Sequence, residues 1–178
     1  KRVAGPKRTI LHQLLAAALA EEGMTMKDVE FVHMDLASGA NALANGGVEA
    51  ALLAGPAAYK ALSGGSKMLK NGEGLVDATI VIATTEKYMK KYPNVISTFM
   101  NSHKKTIAWI AKNEKKAKEM TQTETGLPMD GVEKMFPWYD FSPEIRKSDI
   151  AELARTQKFM IENGLQRREI NINSLIKK

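Results

Sequence analysis

Apolar positions change their spacing near the middle of the chain. In the first half, short apolar runs alternate with stretches whose apolar residues recur every three or four positions. Val3 and Ala4 form a short run that stops at Gly5-Pro6. From there Ile10, Leu11, Leu14, Leu15, Ala18 and Leu19 share one helical face, with Thr9 placed to cap it and Gly23 to end it. Residues 29–34 read as a strand. Ser38 caps a short helix running through residue 44, closed by Gly46-Gly47. Residues 48–54 are almost continuously apolar, which predicts a buried strand. Gly55-Pro56 ends it, residues 57–62 form a short helix, and residues 67–69 suggest another strand. Strand and helix alternating through short loops predict a parallel sheet with helices on both faces.

Residues 71–77 are Gly-rich and polar and lead into a predicted strand over residues 78–83. Beyond Thr84 the pattern becomes helical. Thr85 caps a short helix to about Lys91. Pro93 suits the first turn of a long helix carrying Val95, Ile96, Phe99, Ile107 and Ile110. Asn113 breaks it, and a second helix runs to Gly126. Pro128 starts another short helix. Ser148 opens a helix to Asn163, with Ile150, Leu153, Ala154, Gln157, Met160 and Ile161 on one side and Gly164 as its stop. Residues 165–178 read as a largely extended tail. The division expected is an α/β part at residues 1–78 and a helical part at residues 79–178. The helical part has too few strands for its own sheet. The run Val3-Ala4 must pair with neighbours to satisfy its backbone, yet it has almost no lead-in. The expectation is a preceding segment of the same protein that supplies further strands.

Composition narrows the chemistry. The 178 residues suffice for a real core, and 44% apolar with 26% charged content is that of a soluble globular protein. The longest apolar runs are too short to span a membrane. Without cysteine there is no disulfide, thiolate metal site or Cys nucleophile. HExxH, GxSxG, P-loop and GxGxxG patterns are all missing, and His12, His33 and His103 fall in different elements without ligand spacing. No catalytic residue, metal or cofactor is therefore expected. The net charge of +6 reads either as simple solubility or as affinity for an anion or acidic surface. The lysines at 104–118 are interleaved with Glu114 and Glu119 and read as a solvated helix face. No recognition motif accompanies the charge, so nucleic acid is not an expected partner.

Several landmarks recur in order along the chain. Lys1-Arg2-Val3-Ala4 stands with Pro6-Lys7, Thr9 and His12; then come Gly23-Met24-Thr25 and Lys27-Asp28-Val29. Ala42-Leu43-Ala44-Asn45-Gly46 and Val48-Glu49-Ala50-Ala51 follow, closing at Pro56. Later come Ala83-Thr84, Glu86-Lys87-Tyr88, Tyr92-Pro93, Thr125-Gly126-Leu127-Pro128, Phe159 and Asn163-Gly164-Leu165. In this order they resemble the periplasmic solute-binding proteins of ABC transporters, in the branch for nitrate, sulfonates, taurine and thiamine-precursor pyrimidines. The resemblance implies a two-lobe α/β fold, the type II periplasmic-binding-protein fold, with ligand in the cleft between lobes. Residues 1–78 would be most of the second lobe; residues 79–178 would return through the hinge to the C-terminal helical part of the first. It implies a small-molecule solute and an ABC transporter permease as partners, and a periplasmic location. An effector domain of a transcription regulator and a pyrimidine-forming enzyme are the alternatives of the same fold. The enzymes resemble one another through a Cys-rich motif, which this chain lacks.

Ligands of open parallel sheets bind beyond the carboxyl ends of the strands. Three loops occupy that position here. In the first, Lys7, Arg8, Thr9 and Ile10 lead into a helix whose free N–H groups and positive dipole end suit an anion. Thr9 is either a plain cap or a ligand hydroxyl. Arg8 stands where the resembling proteins usually carry a small residue, often glycine, and either enters the cleft or points to solvent. His12 reads as a capping or packing residue. In the second loop Ser38 and Gly39 either cap a helix or also present N–H groups. In the third, Gly55 and Pro56 follow a small Ala54, where the family often has a bulky or acidic residue. Trp138 and Tyr139 belong to the one aromatic cluster, with packing and a cleft wall as its two readings.

Overall fold

The computed structural model describes residues 1–176. Among them, three strands form one parallel sheet in the order β2–β1–β3. These are β1 (Arg2–Gly5), β2 (Glu30–His33) and β3 (Ala50–Ala51). Helix α1 (Ile10–Glu21) joins β1 to β2, and α2 (Leu36–Ala44) joins β2 to β3. The register pairs Val3 with Phe31 and Ala4 with Val32.

Neighbouring strand residues point to opposite faces, so Val3 and Phe31 share one face and Ala4 the other. His12 of α1 packs its ring against Phe31 with centroids 4.9 Å apart. On the opposite face, a Cβ on Gly39 of α2 would stand 3.7 Å from the Cβ of Ala4. Helices thus cover both faces, as parallel pairing requires. Val3, Ala4, Leu19 and Val48 are buried at this core.

Two expected strands are not formed. Residues 67–69 and 78–83 have no ladder among the described residues, and Leu69 and Ile80 stay 82% and 88% exposed. Thr79, Ile80, Val81 and Ile82 are β-branched, but a strand needs a neighbour to receive its backbone bonds. The predicted strand over residues 48–54 contracts to Ala50–Ala51, with ladder bonds extended by the amides of Glu49 and Leu52.

The helices follow closely: α3 (Gly55–Ser63), α4 (Glu86–Lys91), α5 (Pro93–Lys112), α6 (Glu114–Thr125) and α7 (Met129–Met135). Thr85 caps α4 by accepting from the Tyr88 amide at 3.1 Å. Gly126 ends α6 in the left-handed region, φ 65°, where any side chain would be strained. Then come α8 (Lys147–Glu162) and a single turn, α9 (Ile172–Leu175). The tail is therefore not simply extended: Asn171 accepts from the Asn173 amide and starts α9. Lys177 and Lys178, part of that expected tail, lie outside the described residues.

The chain divides into two compact units. One comprises Lys1–Thr79 with the described residues from Arg146 onward; the other is Ile80–Ile145. This differs from a single division after residue 78, because α8 packs against α1 rather than staying with the helical half. In the second unit, Ala117, Leu127, Val132 and Met135 are buried where α6 meets α7.

Candidate functional site

All three strands are parallel, and each is followed by a helix, so α1, α2 and α3 begin at the same edge of the sheet. The start of α1 opens into a cavity. That cavity has a volume of about 220 Å³ and lies between α1 and α8, with residues from the stretch before Ile80 on its wall. Arg8, Thr9, Ile10 and Gln13 line it from one side, and Glu152 and Thr156 from the other. Phe159, Met160 and Leu165 supply apolar wall.

The local backbone explains why this helix start is open. Thr9 occupies the capping position, but its hydroxyl donates backwards to the Pro6 carbonyl at 2.8 Å and caps nothing. The Thr9 carbonyl accepts from the amides of His12 and Gln13. Thr9, Ile10 and Leu11 are left with backbone N–H groups that have no partner among the described residues. Unsatisfied donors at the positive end of a helix dipole are an anion's natural counterpart.

Arg8 is the one described non-glycine residue at positive φ, 62°. Glycine, often found at that place in the resembling proteins, adopts the left-handed region without a Cβ clash. The Arg8 amide donates to His12 Nδ1 at 3.3 Å. His12 also meets the Phe159 ring edge-on at 5.5 Å. Burial, and then the nearby Lys7 ammonium, hold its imidazole below the ordinary pKa. His12 thus fastens the loop and packs α1 against β2 and α8.

The other expected residues fall elsewhere. Lys7 does not line the cavity: its amide donates to His33 Nδ1 at 3.1 Å and its ammonium sits over Phe31. Asp35, not Ser38, caps α2, which starts three residues earlier than expected. The Ser38 amide donates to Asp35 Oδ1 at 2.7 Å and the Gly39 amide to the Asp35 carbonyl at 2.9 Å. Neither remains to meet a ligand, and the Ser38 amide holds the Asp35 carboxyl below the usual range. Gly55, at φ 56°, and Pro56 form the first turn of α3, outside the cavity. Trp138 is exposed, while Phe136 and Phe141 pack 5.4 Å apart along an apolar groove of the second unit.

Sequence reasoning missed Gln13, Asp77, Glu152 and Thr156. The inward face of α8 is turned by about one residue from the apolar stripe, and Glu152 and Gln157 are its buried residues. Thr156 Oγ1 donates to Gln13 Oε1 at 3.0 Å, tying α8 to α1. Arg155 Nε donates to Glu152 Oε2 at 2.6 Å, and its Nη2 reaches Asp77 Oδ2 at 3.2 Å. No helical periodicity marks a polar inward position, so the sequence carried no signal for these. Among the described residues no cluster of three or more His, Asp or Glu is placed to hold a metal ion.

A parallel sheet flanked by helices, with a small cavity at a helix start on its carboxyl edge, defines an α/β architecture. It is shared with three solved structures. The aliphatic sulphonate binding protein SsuA of Escherichia coli matches at TM-score 0.81 and 21% identity, over 99% of this chain and 58% of that one. The alkanesulfonate-binding protein SsuA of Xanthomonas axonopodis pv. citri, bound to MOPS, matches at 0.79 and 21%, over 98% and 62%. A putative sulfonate-binding SsuA of Methylobacillus flagellatus KT matches at 0.72 and 17%, over 99% and 57%. The fold is that of the type II periplasmic binding proteins, and this chain spans 57–62% of the length of those relatives. No curated protein gives a significant match. The NMT1/THI5-like family model matches residues 1–117, and the chain belongs to that family.

Proposed function

We propose that this chain is the solute-capturing part of an ABC importer, working outside the cytoplasmic membrane and handing a small anion to a permease. The observation that carries this reading is the open start of α1. Thr9 and Ile10, whose amides are unpartnered among the described residues, line a cavity that Arg8 also lines. A desolvated anion needs such donors, because an unpaired charge is costly to bury. The family and the fold support the same role, and the chain offers no catalytic grouping to favour the enzyme alternative.

Calorimetric titration of the purified protein with alkanesulfonates, nitrate and pyrimidines tests it. An alkanesulfonate or nitrate should bind, and Arg8→Gly should weaken that binding about tenfold, the loss of one charge-assisted contact. Glycine tolerates the left-handed backbone, so the variant removes the guanidinium and little else. Unchanged affinity in Arg8→Gly would strip Arg8 of its role. Binding of uncharged compounds alone would end the anion reading.

A further inference from the structure

We infer that His33 and His12 are positioning residues for the solute site: their neutral imidazoles clamp the turn that carries Arg8 into α1, and protonating them releases the turn and weakens anion binding. The inference rests on the solute-binding reading above and adds a control to it.

The register sets His33 opposite Gly5, so its imidazole stands beside the point where the chain leaves β1 for the turn. Two successive amides of that turn end on imidazole nitrogens. The Lys7 amide donates to His33 Nδ1 at 3.1 Å, and the Arg8 amide to His12 Nδ1 at 3.3 Å. A backbone amide only donates, so each Nδ1 carries its lone pair and each ring proton sits on Nε2. Arg8 holds φ 62°, and such strain persists only where the surroundings over-determine it. Here the two imidazole ties do so, together with the Thr9 hydroxyl on the Pro6 carbonyl.

Protonation reverses both imidazole contacts. An imidazolium carries N–H at both ring nitrogens, so each amide then faces a donor. The strained turn loses both ties and relaxes, drawing Arg8 and Thr9 away from the cavity they line. The charges around the two rings are few. His12 meets the Phe31 ring of β2 and the Phe159 ring of α8, and the Lys7 ammonium is the charge acting on it. On α8, Glu152 and Arg155 are paired with each other. The Asp35 carboxylate, just past β2, is the charge coupled to His33. Arg2, Glu30 and Asp28 lie toward the opposite end of the β1–β2 ladder.

Propanesulfonate, whose charge is constant, is titrated calorimetrically at about pH 8 and about pH 5.5, the range in which histidine changes charge. Circular dichroism confirms the fold at both. Affinity should fall at least about tenfold at the lower pH. His33→Leu should reproduce much of that loss at the higher pH. His33→Asn sets an amide oxygen where Nδ1 stood; it should rescue that affinity and shrink the fall with pH at least about threefold. Without ligand, imidazole nitrogen resonances at the higher pH should show Nε2–H tautomers, and the Lys7 and Arg8 amide resonances should move as the imidazoles titrate. Affinity that rises as pH falls overturns the inference, because added positive charge alone acts in that direction. An Nδ1–H tautomer at either histidine overturns it too, as does a His33→Leu protein that binds like the unaltered one. No binding at either pH overturns the anion reading, and the ligand-free resonances then decide the clamp by themselves.

Discussion

At the scale of single residues, strain and protonation meet at the start of α1. Arg8 sits in the left-handed region, which costs a non-glycine residue on the order of 1–3 kcal/mol. Glycine there relieves the clash but adds freedom to the unfolded chain, worth roughly 0.5–1 kcal/mol in the other direction. Arg8→Gly should therefore stabilise the fold by about 1 kcal/mol, read from urea midpoints. A loss of stability would mean that the Arg8 side chain makes compensating contacts. His12 gives a pH signature. Its imidazole is held below the ordinary value of 6.5, so the unfolded chain takes up its proton first as pH falls. Its stability contribution is complete above about pH 6.5 and is lost as pH falls toward the lower folded value. His12→Gln should flatten that part of the stability profile; an unchanged slope would assign it to other groups. Much of this was legible in the letters: Thr9 at the helix start, Arg8 in a glycine place, His12 as packing. The direction of the Thr9 hydroxyl was not, because both the Pro6 carbonyl behind it and the amides ahead lie within its reach.

At the scale of elements, close packing decides more than propensity. A Cβ on Gly5 would stand 2.7 Å from Leu52 Cδ1 and 2.9 Å from Leu52 Cβ. The second contact involves an atom fixed to the backbone, so rotating Leu52 does not relieve it. Gly5→Ala should cost about 1–3 kcal/mol, as overpacking does, and a neutral result by denaturant titration would show that β1 and the residues after β3 can separate freely. Gln157 holds the tail in the way a neighbouring strand would. Its Oε1 accepts from the Ile170 amide at 2.9 Å and its Nε2 donates to the Ile170 carbonyl at 3.1 Å. Gln157→Leu should destabilise by about 1–3 kcal/mol and speed proteolysis beyond Leu165, since the Ile170 backbone loses both partners. Unaltered cleavage would place the tail's anchorage elsewhere. Helix ends were well marked by Thr85, Pro93, Asn113 and Gly126, which act locally. Strand predictions at 67–69 and 78–83 failed because a strand is defined by its neighbour, and no local pattern supplies one. Glu152 escaped notice because it lies outside the apolar stripe of α8, and a local pattern does not show which polar position turns inward.

At the scale of the whole molecule, the amount of uncovered apolar surface is the dominant fact. Ile80, Val81 and Ile82 are 88%, 59% and 60% exposed in a row, within a six-residue run, 78–83, that carries no charge and no proline. Such a run is a template for strand pairing between molecules. The isolated chain should bind a hydrophobic dye and associate with rising concentration in light scattering, and Val81→Lys should reduce both. A dye-silent monomer at all concentrations would contradict this. The two compact units also differ in how the chain builds them. Ile80–Ile145 is one uninterrupted stretch, whereas the unit around the sheet is assembled from pieces on either side of it. During synthesis at about 5–20 residues per second, the uninterrupted stretch is completed while the sheet still lacks α8. The wall bearing Glu152 is thus the last part of the cavity to be made. A nascent chain paused before Arg146 holds the amides of α1 but lacks the α8 wall opposite them, so the cavity takes shape only once α8 has been made.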